Sequence, residues 1–341
     1  MEGEGFHSAK WDANNVTHAG NCRVYYLVIR VCLGGLLSLA GIIGNILTIL
    51  IMNRTTRPSA TTRALLLLAL TDLTVVVIYG TMAVSIPVLN AIHKAELAHT
   101  LQLHFLVYLL PFGQMASLIC VFITVVVTRQ RHLSVCHPHQ LRTKNQIRAV
   151  YIRIAFASVF SVIFHIPMFF QDRIDGHVLV RRDFANSKAY TVFYAIVAVQ
   201  LFRYVLPVSA LIFMTTGLIR ALRKQSRTKD AALRRNSGRA GLTMSLVVVV
   251  LVFIVCQSFA PARQILMWTH RPYSEAILCG ASLFYFGPLD LISLLVNSSS
   301  NFIVFVLCAK GFRRILIAML TKRTTNGSHS TLPRADAYSL E

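Results

Sequence analysis

Polar side chains at four positions interrupt long apolar stretches of this sequence. Asn45, Asp72, Asn297 and Asn301 each stand within runs rich in Leu, Val and Ile. An ionisable or amide side chain in an apolar medium is costly unless it is hydrogen-bonded, so it points inward and marks either a packing device or a site. Because Asn297 and Asn301 lie one helical turn apart, the four residues can form one polar cluster in a helix bundle. Interhelical hydrogen bonds alone, each worth about 1 kcal/mol, are the alternative.

A second set of polar residues falls toward one end of the same stretches. Arg203 lies four residues before Pro207 and therefore on the same helical face, one turn away. A cavity with arginine in its wall suits an anionic or amidated peptide end, because the guanidinium offers a bidentate fork. Pairing of Arg203 or Arg263 with Asp290, which neutralises both charges, is the alternative. The candidate ligand-binding residues are Arg203, Gln200, Asp290, Arg263, Gln114 and Tyr108, with His104 beside them.

Seven apolar stretches must position these residues. The chain is 55% apolar and only 14% charged, whereas soluble domains carry about 25% charged residues. A membrane-spanning helix needs roughly 20 mostly apolar residues, because its backbone must satisfy its own hydrogen bonds in lipid. The sequence therefore predicts an all-α membrane protein with a bundle of seven transmembrane helices. The stretches are Leu27–Met52, Ala64–Leu89, Gln102–Thr128, Ala149–Phe170, Tyr190–Leu222, Gly241–Trp268 and Ala276–Leu307.

Basic residues predict the orientation and an eighth helix. Most of the 34 Lys and Arg residues lie between alternate stretches, and the net charge is +21. Because such residues are retained in the cytoplasm, the amino terminus is predicted outside the cell, where Asn15 is a glycosylation signal. Apolar and basic residues recur at helical spacing in Lys310–Leu320, which predicts a short amphipathic helix on the membrane surface. Charge confined to the gaps between apolar runs does not favour a nucleic-acid partner.

No segment between the stretches is long enough for a separate domain. We expect an extracellular tail (1–26), a seven-helix domain with its surface helix (27–320) and a disordered cytoplasmic tail (321–341). No strand alternation, Gly-rich phosphate loop or paired His/Cys cluster stands out in the sequence. We therefore expect that the chain is not an enzyme.

Several short motifs occur in the order and spacing of one receptor family. On these residues the sequence resembles the rhodopsin-like (class A) G-protein-coupled receptors across roughly residues 27–320. The run Asn297–Phe305, followed by Gly311–Arg314, resembles most the invertebrate receptors of the FMRFamide-receptor type. The other motif residues are Gly44-Asn45, the Leu-Ala-x-x-Asp ending in Asp72, Arg131 within Gln130-Arg131-His132, Pro138, Pro207, and Phe253 with Cys256.

The resemblance implies roles for individual polar residues. Asp72 with Asn45, Asn301 and Asn297 would form the family's sodium and water pocket, because an oxygen cage suits a hard cation. A sodium ion is thus the one cofactor expected. Arg131 would contact a heterotrimeric G protein in the active state. An arginine that only reaches the lipid headgroups is the alternative reading of Arg131.

Four positions depart from the family's pattern at its switch motifs. Gln130 replaces the usual acid before Arg131, and His132 replaces the usual Tyr after it. The charged pair that restrains the inactive state cannot form, so we expect raised basal activity or another partner for Arg131. Phe302 and Phe305 replace the Pro and Tyr of the family's Asn-Pro-x-x-Tyr motif, which removes a kink and a hydroxyl.

The cysteines depart from the family as well. Relatives tie the third span to the second outer loop by a disulfide, but neither His104–Tyr108 nor Phe169–Tyr190 contains a cysteine. Only Cys22 and Cys279 fall on the predicted outer side, which is the oxidising one. A Cys22–Cys279 bridge, similar to that of chemokine receptors, is what the resemblance implies, and two free thiols are the alternative.

The resemblance also narrows the ligand. Amine receptors of this family carry an acid where Gly113 stands, and opsins need a lysine in the seventh span, where Ala276–Ala309 has none. The expected function is a plasma-membrane receptor that binds an extracellular ligand, with a neuropeptide, amidated or not, as the favoured class, and activates heterotrimeric G proteins. A receptor-like scaffold that does not signal is one alternative, and a channel or transporter is a less favoured one.

Two further partners follow from the cytoplasmic segments. The run Arg234-Arg235-Asn236-Ser237 resembles a basophilic kinase site, so Ser237 is a candidate phosphorylation site. In the tail, Thr324, Thr325, Ser328, Ser330 and Thr331 are candidate phosphorylation sites for arrestin recruitment, so receptor kinases and arrestin are expected as partners besides the G protein and the lipid membrane. A solvated basic loop is the alternative for the Arg234–Ser237 run.

Overall fold

A computed structural model describes residues 21–54, 59–136, 145–227, 237–269 and 282–322. Within these ranges, seven helices are long and apolar enough to cross a membrane, which confirms the predicted number of spans. Their bounds and that of the following helix are α1 Asn21–Asn53, α2 Ala60–Ala91, α3 Ala95–Cys136, α4 Gln146–Phe170, α5 Tyr190–Arg227, α6 Ser237–Thr269, α7 Ser282–Cys308 and α8 Lys310–Lys322.

Several of these helices are not uniformly α-helical. The wider π-helical turn occurs at Val28–Leu33 in α1 and at Phe105–Leu109 in α3. The first part of α5 is also π-helical, over Tyr190–Ala198 and Leu201–Val205, before an α-helix continues over Leu206–Arg227. A π-turn rotates the residues that follow it relative to an α-helix, and such turns often occur at functional sites. All of these segments lie in the same half of the bundle.

One short hairpin occurs in a helical fold, in a segment where no strand alternation stands out in the sequence. After α4 the chain forms a hairpin in which β1 (Asp172–Asp175) pairs antiparallel with β2 (Val178–Arg181). The two-residue turn contains Gly176 at φ +62°, a conformation that side chains other than glycine adopt at a cost. Glycine at the first position of a two-residue loop is typical of a hairpin turn.

The helices close into a ring around α3. Helix α1 contacts α2 and α7, so that the first and last spans are neighbours, and α6 packs between α5 and α7. Helix α3 contacts α2, α4 and α5. We call the face of the bundle that carries β1 and β2 the hairpin face, and the opposite face, where α8 follows α7, the α8 face.

Apolar side chains lie both in the interior of the bundle and on its outer surface. A buried core runs between α1, α2, α3, α6 and α7, and a second cluster around Phe253 joins α3, α5 and α6. On the outward surface, Phe156 of α4 is 75% exposed and Phe213 of α5 is 73% exposed. Large apolar side chains on the outside are stable only where lipid replaces water. The chain is a multi-pass membrane protein.

Helices α6 and α7 differ in continuity. The α-helical pattern of α6 stops at Gln257 and resumes at Phe259. Pro261 has no N–H to donate to the Gln257 carbonyl, which accounts for the interruption. In contrast, α7 runs unbroken past Phe302, which stands where the family usually has proline. The helix is thus uninterrupted at the position where this substitution was predicted to remove a kink.

Candidate functional site

A buried carboxylate lies at the centre of the bundle. Asp72 of α2 is 1% exposed, and its Oδ2 accepts a hydrogen bond of 2.7 Å from Nδ2 of Asn301 in α7. From α1, Asn45 donates through Nδ2 to the backbone carbonyl of Ser298 at 3.0 Å. The predicted polar cluster of Asn45, Asp72 and Asn301 therefore forms, and it links α1, α2 and α7.

The same cluster has unused polar atoms. Oδ1 of Asp72 and Oγ of Ser298 are buried without a hydrogen-bond partner among the described residues. The Ser298 side chain and the thiol of Cys120 lie next to the Asp72 carboxylate. Orphaned buried oxygens are costly, and a small hard cation or a water molecule would satisfy them. The donor set of carboxylate, amide and hydroxyl oxygens fits sodium.

Asn297 stands apart from this cluster. Its backbone carbonyl accepts a hydrogen bond of 3.2 Å from Oγ of Ser300, and its side chain is half-buried. Among the described residues, the groups that contact the Asp72 carboxylate come from Asn301, Ser298 and Cys120. Ser298, one residue along from Asn297, takes the position that the sequence argument gave to the amide.

Toward the hairpin face, Arg203 of α5 reaches across to α3. Its Nη1 donates to Oε1 of Gln114, and its Nη2 donates to Oγ of Ser117 at 3.0 Å. The fork of the guanidinium thus engages two residues of α3, as the bidentate geometry of arginine favours. Ser117 is fully buried, and sequence reasoning missed it because a single serine in a span is too common to single out.

Two further polar contacts join the same end of the bundle. Gln200 of α5 donates to Oε1 of Gln264 in α6. Nε of Arg263 donates to Oδ2 of Asp290 in α7 at 2.9 Å, in a partly buried ion pair. The alternative of internal pairing is therefore confirmed for Arg263 with Asp290. It is not the arrangement of Arg203, whose partners are on α3.

Tyr79 of α2 lies between the Arg203 contacts and the Arg263–Asp290 pair. Its charged neighbours are Arg203 and Asp290, and its buried hydroxyl has no hydrogen-bond partner among the described residues. A Cβ placed at Gly113 would lie 2.9 Å from the Tyr79 ring, so only glycine leaves room for the tyrosine. Gly113 therefore has a structural role in this site, because the absence of a side chain there leaves the space that the Tyr79 ring occupies.

Tyr108 and His104 lie outside this group of contacts. Tyr108, within the π-helical turn of α3, is 56% exposed, and its ring centroid lies 5.9 Å from that of His104. Nδ1 of His104 lies 2.8 Å from the backbone carbonyl of Thr100, one turn earlier in the same helix. The π-helical turn Phe105–Leu109 contains Tyr108 and separates His104 from Gln114, and the described contacts of both residues do not include the network around Arg203.

At the α8 face, the motif residues Gln130 and Arg131 of α3 are buried, and His132 is half-buried. Gln130 is 3% exposed, and its Nε2 has no hydrogen-bond partner in the part of the chain that the structure describes. Arg131 is 7% exposed and accepts through its backbone carbonyl a hydrogen bond from Oγ of Ser134 at 3.0 Å. His132 packs against Phe213 of α5, with ring centroids 6.2 Å apart. Arg131 is thus enclosed by protein rather than extended toward headgroups.

Phenylalanines hold α7 against α8. Phe305 and Phe312 are both 1% exposed, with ring centroids 5.7 Å apart. The Phe302 ring lies 5.9 Å from Phe312 and its Cβ would lie 2.8 Å from a Cβ added at Gly44 of α1. The two residues that depart from the family motif therefore pack α8 and α1 onto α7.

Cys22 is one half of a disulfide, whereas Cys32, Cys120, Cys136, Cys256 and Cys308 are free thiols. Cys279 lies outside the described residues, and its pairing with Cys22 stays a prediction. Asn15 and the cytoplasmic tail also lie outside them. Ser237 begins α6, but its side chain is not described.

Comparison with known proteins agrees with this architecture. The pattern of the 7 transmembrane receptor (rhodopsin family) matches residues 44–288. The chain belongs to this family of seven-transmembrane receptors.

Two relatives have names that refer to a peptide. The chain is 23% identical over 326 residues to an FMRFamide receptor of Drosophila melanogaster, which covers 89% of this chain and 55% of the relative. It is 22% identical over 312 residues to the FMRFamide peptide receptor frpr-18 of Caenorhabditis elegans, which covers 88% of this chain and 70% of the relative. The chain thus spans little more than half the length of the Drosophila relative.

Proposed function

We propose that this chain is a neuropeptide receptor of the plasma membrane that activates heterotrimeric G proteins and catalyses no reaction itself. The observation that carries the proposal is the polar network at the hairpin face, in which Arg203, Gln114 and Ser117 join α5 to α3. A peptide end that competes for the Arg203 fork alters how α3 and α5 are held together. The named relatives, both receptors for FMRFamide, support a peptide as the ligand.

The proposed orientation places the hairpin face outside the cell. Support comes from arginines at the α8-face ends of four successive spans, since basic residues are retained in the cytoplasm. These residues are Arg63 of α2, Arg129 of α3, Arg148 of α4 and Arg220 of α5. In this orientation Asn15 is available for glycosylation, and the amino terminus is extracellular.

A signal reaches the α8 face if ligand binding favours one of two arrangements of the helices. A ligand shifts such an equilibrium only by as much as its affinities for the two arrangements differ. Arg131, buried in the described arrangement, is proposed to become available to the G protein when α6 moves away. Arrestin and receptor kinases are proposed to act afterwards on Ser237 and on the tail beyond it.

A sodium ion is proposed as the occupant of the Asp72 cluster. The unsatisfied Oδ1 of Asp72 supports it, because a cation there satisfies a buried acceptor that has no hydrogen-bond partner among the described residues, and the neighbouring Ser298 hydroxyl offers a further oxygen ligand. Asn301 and Asn45 would hold the carboxylate and the α7 backbone in place around the ion. A cation at the joint of α1, α2 and α7 stabilises the arrangement in which these helices are close.

The experiment is nucleotide exchange in membranes that contain the full chain and a purified G protein. A library of amidated peptides is screened for GTP-analogue uptake, with calcium and cyclic-AMP readouts in cells. We expect at least one peptide to raise uptake in the wild type and Arg131→Ala to abolish that rise. Arg129→Ala, two residues away and exposed, is the matched control and is expected to respond like the wild type.

A scaffold that does not signal is a second candidate. Gln130, buried with Nε2 unpaired among the described residues, and Phe305 in place of the tyrosine of the family motif favour it, because both alter the switch. Peptide binding to the purified receptor without nucleotide uptake on any G protein would support the scaffold. Ion flux in the absence of G protein would instead support a channel.

A further inference from the structure

A cavity opens at the hairpin face between α1, α2 and α7, to one side of the Arg203 network. It has a volume of about 740 Å³ and is bounded by Leu27 and Tyr26 of α1, Pro87 of α2 and Phe284 of α7. Its polar wall consists of Arg23, Arg30, Asn90, Gln102 and Arg263. A volume of this size accommodates a few amino-acid residues of a ligand.

Arg30 is the most buried polar residue of this wall. It is 7% exposed, and its guanidinium lies over the Tyr26 ring at 4.8 Å. Nη1 donates to the Tyr26 hydroxyl, while the buried Nε has no hydrogen-bond partner among the described residues. A guanidinium held by one phenol therefore has donors left over on the side of the cavity.

No carboxylate neutralises Arg30 in the part of the chain that the structure describes. None of the described residues that line the cavity is acidic, and Asp290 is engaged by Arg263 at 2.9 Å. A charge within a membrane-spanning helix is costly unless it is paired. Stacking on Tyr26 recovers only part of that cost, because a cation–π contact does not replace a counter-ion.

Arg23 adds a second positive charge at the rim of the same cavity. It is exposed, and its Nη2 donates to the backbone carbonyl of Ala91 at 3.2 Å. That bond holds the guanidinium over the end of α2, within the cavity wall. Two arginines about two turns apart on α1, one at the rim and one buried, make an electropositive path into the cavity.

We propose that this cavity binds a carboxylate of the peptide ligand, with Arg30 as its counter-ion and Arg23 at the entrance. The inference rests on the proposed function, and it adds that the ligand carries an acidic side chain or a free carboxyl end. The apolar walls, Tyr26 and Phe284 among them, bind the residue next to the carboxylate. The Arg203 network is left for another part of the same peptide.

The test measures peptide binding to the purified full-length receptor in nanodiscs, from the rise in Tm with peptide concentration. The probes are pairs based on Phe-Met-Arg-Phe-amide and one-residue extensions of it. The members of a pair differ only in Asp against Asn, or in a free carboxyl against an amidated end. In the wild type we expect the carboxylate member of at least one pair to bind about tenfold more tightly.

Variants then assign that preference to a residue. Arg30→Gln is expected to reduce the preference to about unity, and Arg30→Lys, which keeps the charge but not the fork, to about threefold. The exposed Arg23→Gln, which carries no risk to the core, is expected to reduce it to a few-fold. Arg182→Gln is the matched control, because Arg182 is exposed at the hairpin face and is not in the cavity wall.

Each outcome decides between the two proposals. Equal binding of all pairs, or a carboxylate preference that survives both Arg30→Gln and Arg23→Gln, overturns the carboxylate site but leaves the receptor function standing. Carboxylate-selective binding without nucleotide uptake overturns the receptor function and leaves the site. If no probe binds, both fall. A Tm that rises with phosphatidylglycerol in an Arg30-dependent way, with no peptide preference, assigns the cavity to lipid and overturns the inference.

Discussion

Gly241 of α6 lies directly against the backbone of Cys308, at the junction of α7 and α8. A Cβ added at Gly241 would lie 2.8 Å from the Cys308 carbonyl oxygen, closer than side-chain atoms normally approach backbone oxygen. Only glycine permits this contact, and the contact fixes the α8-face end of α6 next to α7. Because Arg131 is buried in the same arrangement, the structure corresponds to a closed α8 face.

Replacing Gly241 by alanine should open that face. The backbone of Cys308 cannot move away cheaply, so α6 must shift outward. Overpacking costs at least about 1 kcal/mol, and a destabilisation of the closed arrangement by that amount shifts the equilibrium toward the open one about fivefold. Basal nucleotide exchange without ligand should rise by the same factor. Gly35→Ala is the control, because a Cβ there meets Val84 at an ordinary 3.4 Å. Basal exchange equal to that of the control would refute the closed-face interpretation.

The Asp72 cluster predicts a sodium effect on stability. The Tm of the purified receptor should be higher in sodium chloride than in choline chloride at equal ionic strength, and Asp72→Asn should remove the difference. At about ten times its Kd, sodium would contribute about 1.4 kcal/mol.

Asn297→Ala serves as the control for this experiment, since the described partners of the Asp72 carboxylate do not include the Asn297 side chain. This variant should keep the sodium effect. If both variants lose the effect equally, the cluster includes Asn297 as the sequence argument had it.

The Arg263–Asp290 pair should show measurable coupling between α6 and α7. Both side chains are partly buried at 38% and 27% exposure, and the bond is 2.9 Å long. A double-mutant cycle of Arg263→Gln and Asp290→Asn, read by thermal unfolding, should give about 0.5–1 kcal/mol of coupling. The hairpin pair Arg173–Asp175, at 3.7 Å and far more exposed, should give about zero. Equal coupling in the two cycles would contradict this assignment.

The predicted Cys22–Cys279 bridge can be tested by alkylation. In the receptor denatured in SDS without reduction, which makes every free thiol accessible, mass spectrometry after iodoacetamide should find Cys22 and Cys279 unmodified and the free thiol of Cys32 modified. Reduction should expose both protected cysteines to the reagent. If Cys279 is alkylated before reduction, it is not the disulfide partner of Cys22. Replacement of Cys22 by Ser should lower the stability by roughly 2–4 kcal/mol, because the bridge closes a long loop.

The spans were predictable from sequence because lipid imposes a simple rule of length and apolarity on each helix. The cluster of Asn45, Asp72 and Asn301 was predictable for a related reason. Polar side chains in membrane-spanning helices face the interior of the bundle, where they hydrogen-bond to one another. The same rule says nothing about which side chains meet across the bundle. Ser117 and Gln264 were missed because hydroxyl and amide groups are frequent, and only the helix rotation decides whether they face a partner.

Local conformation was harder to predict than helix position. The π-helical part of α5, from Tyr190 onward, leaves no signature in the apolar pattern, yet it sets the direction of Arg203. Tyr79 lies within a run of Val and Ile, and its role becomes visible only through the space that Gly113 leaves for it. The hairpin at Asp175-Gly176 is the one departure for which the sequence carried a clear local signal.

The interruption of α6 at Ser258 divides that helix into two parts, each with its own contact to α7. The part near the hairpin face is held by the Arg263–Asp290 ion pair, and the part near the α8 face packs through Gly241 against the backbone of Cys308. Because Pro261 leaves the Gln257 carbonyl without its helical hydrogen bond, bending at this joint costs less than in an intact helix. Ligand binding at the hairpin-face part of α6 can therefore be coupled to an outward movement of its α8-face part, while the hairpin-face part stays in place.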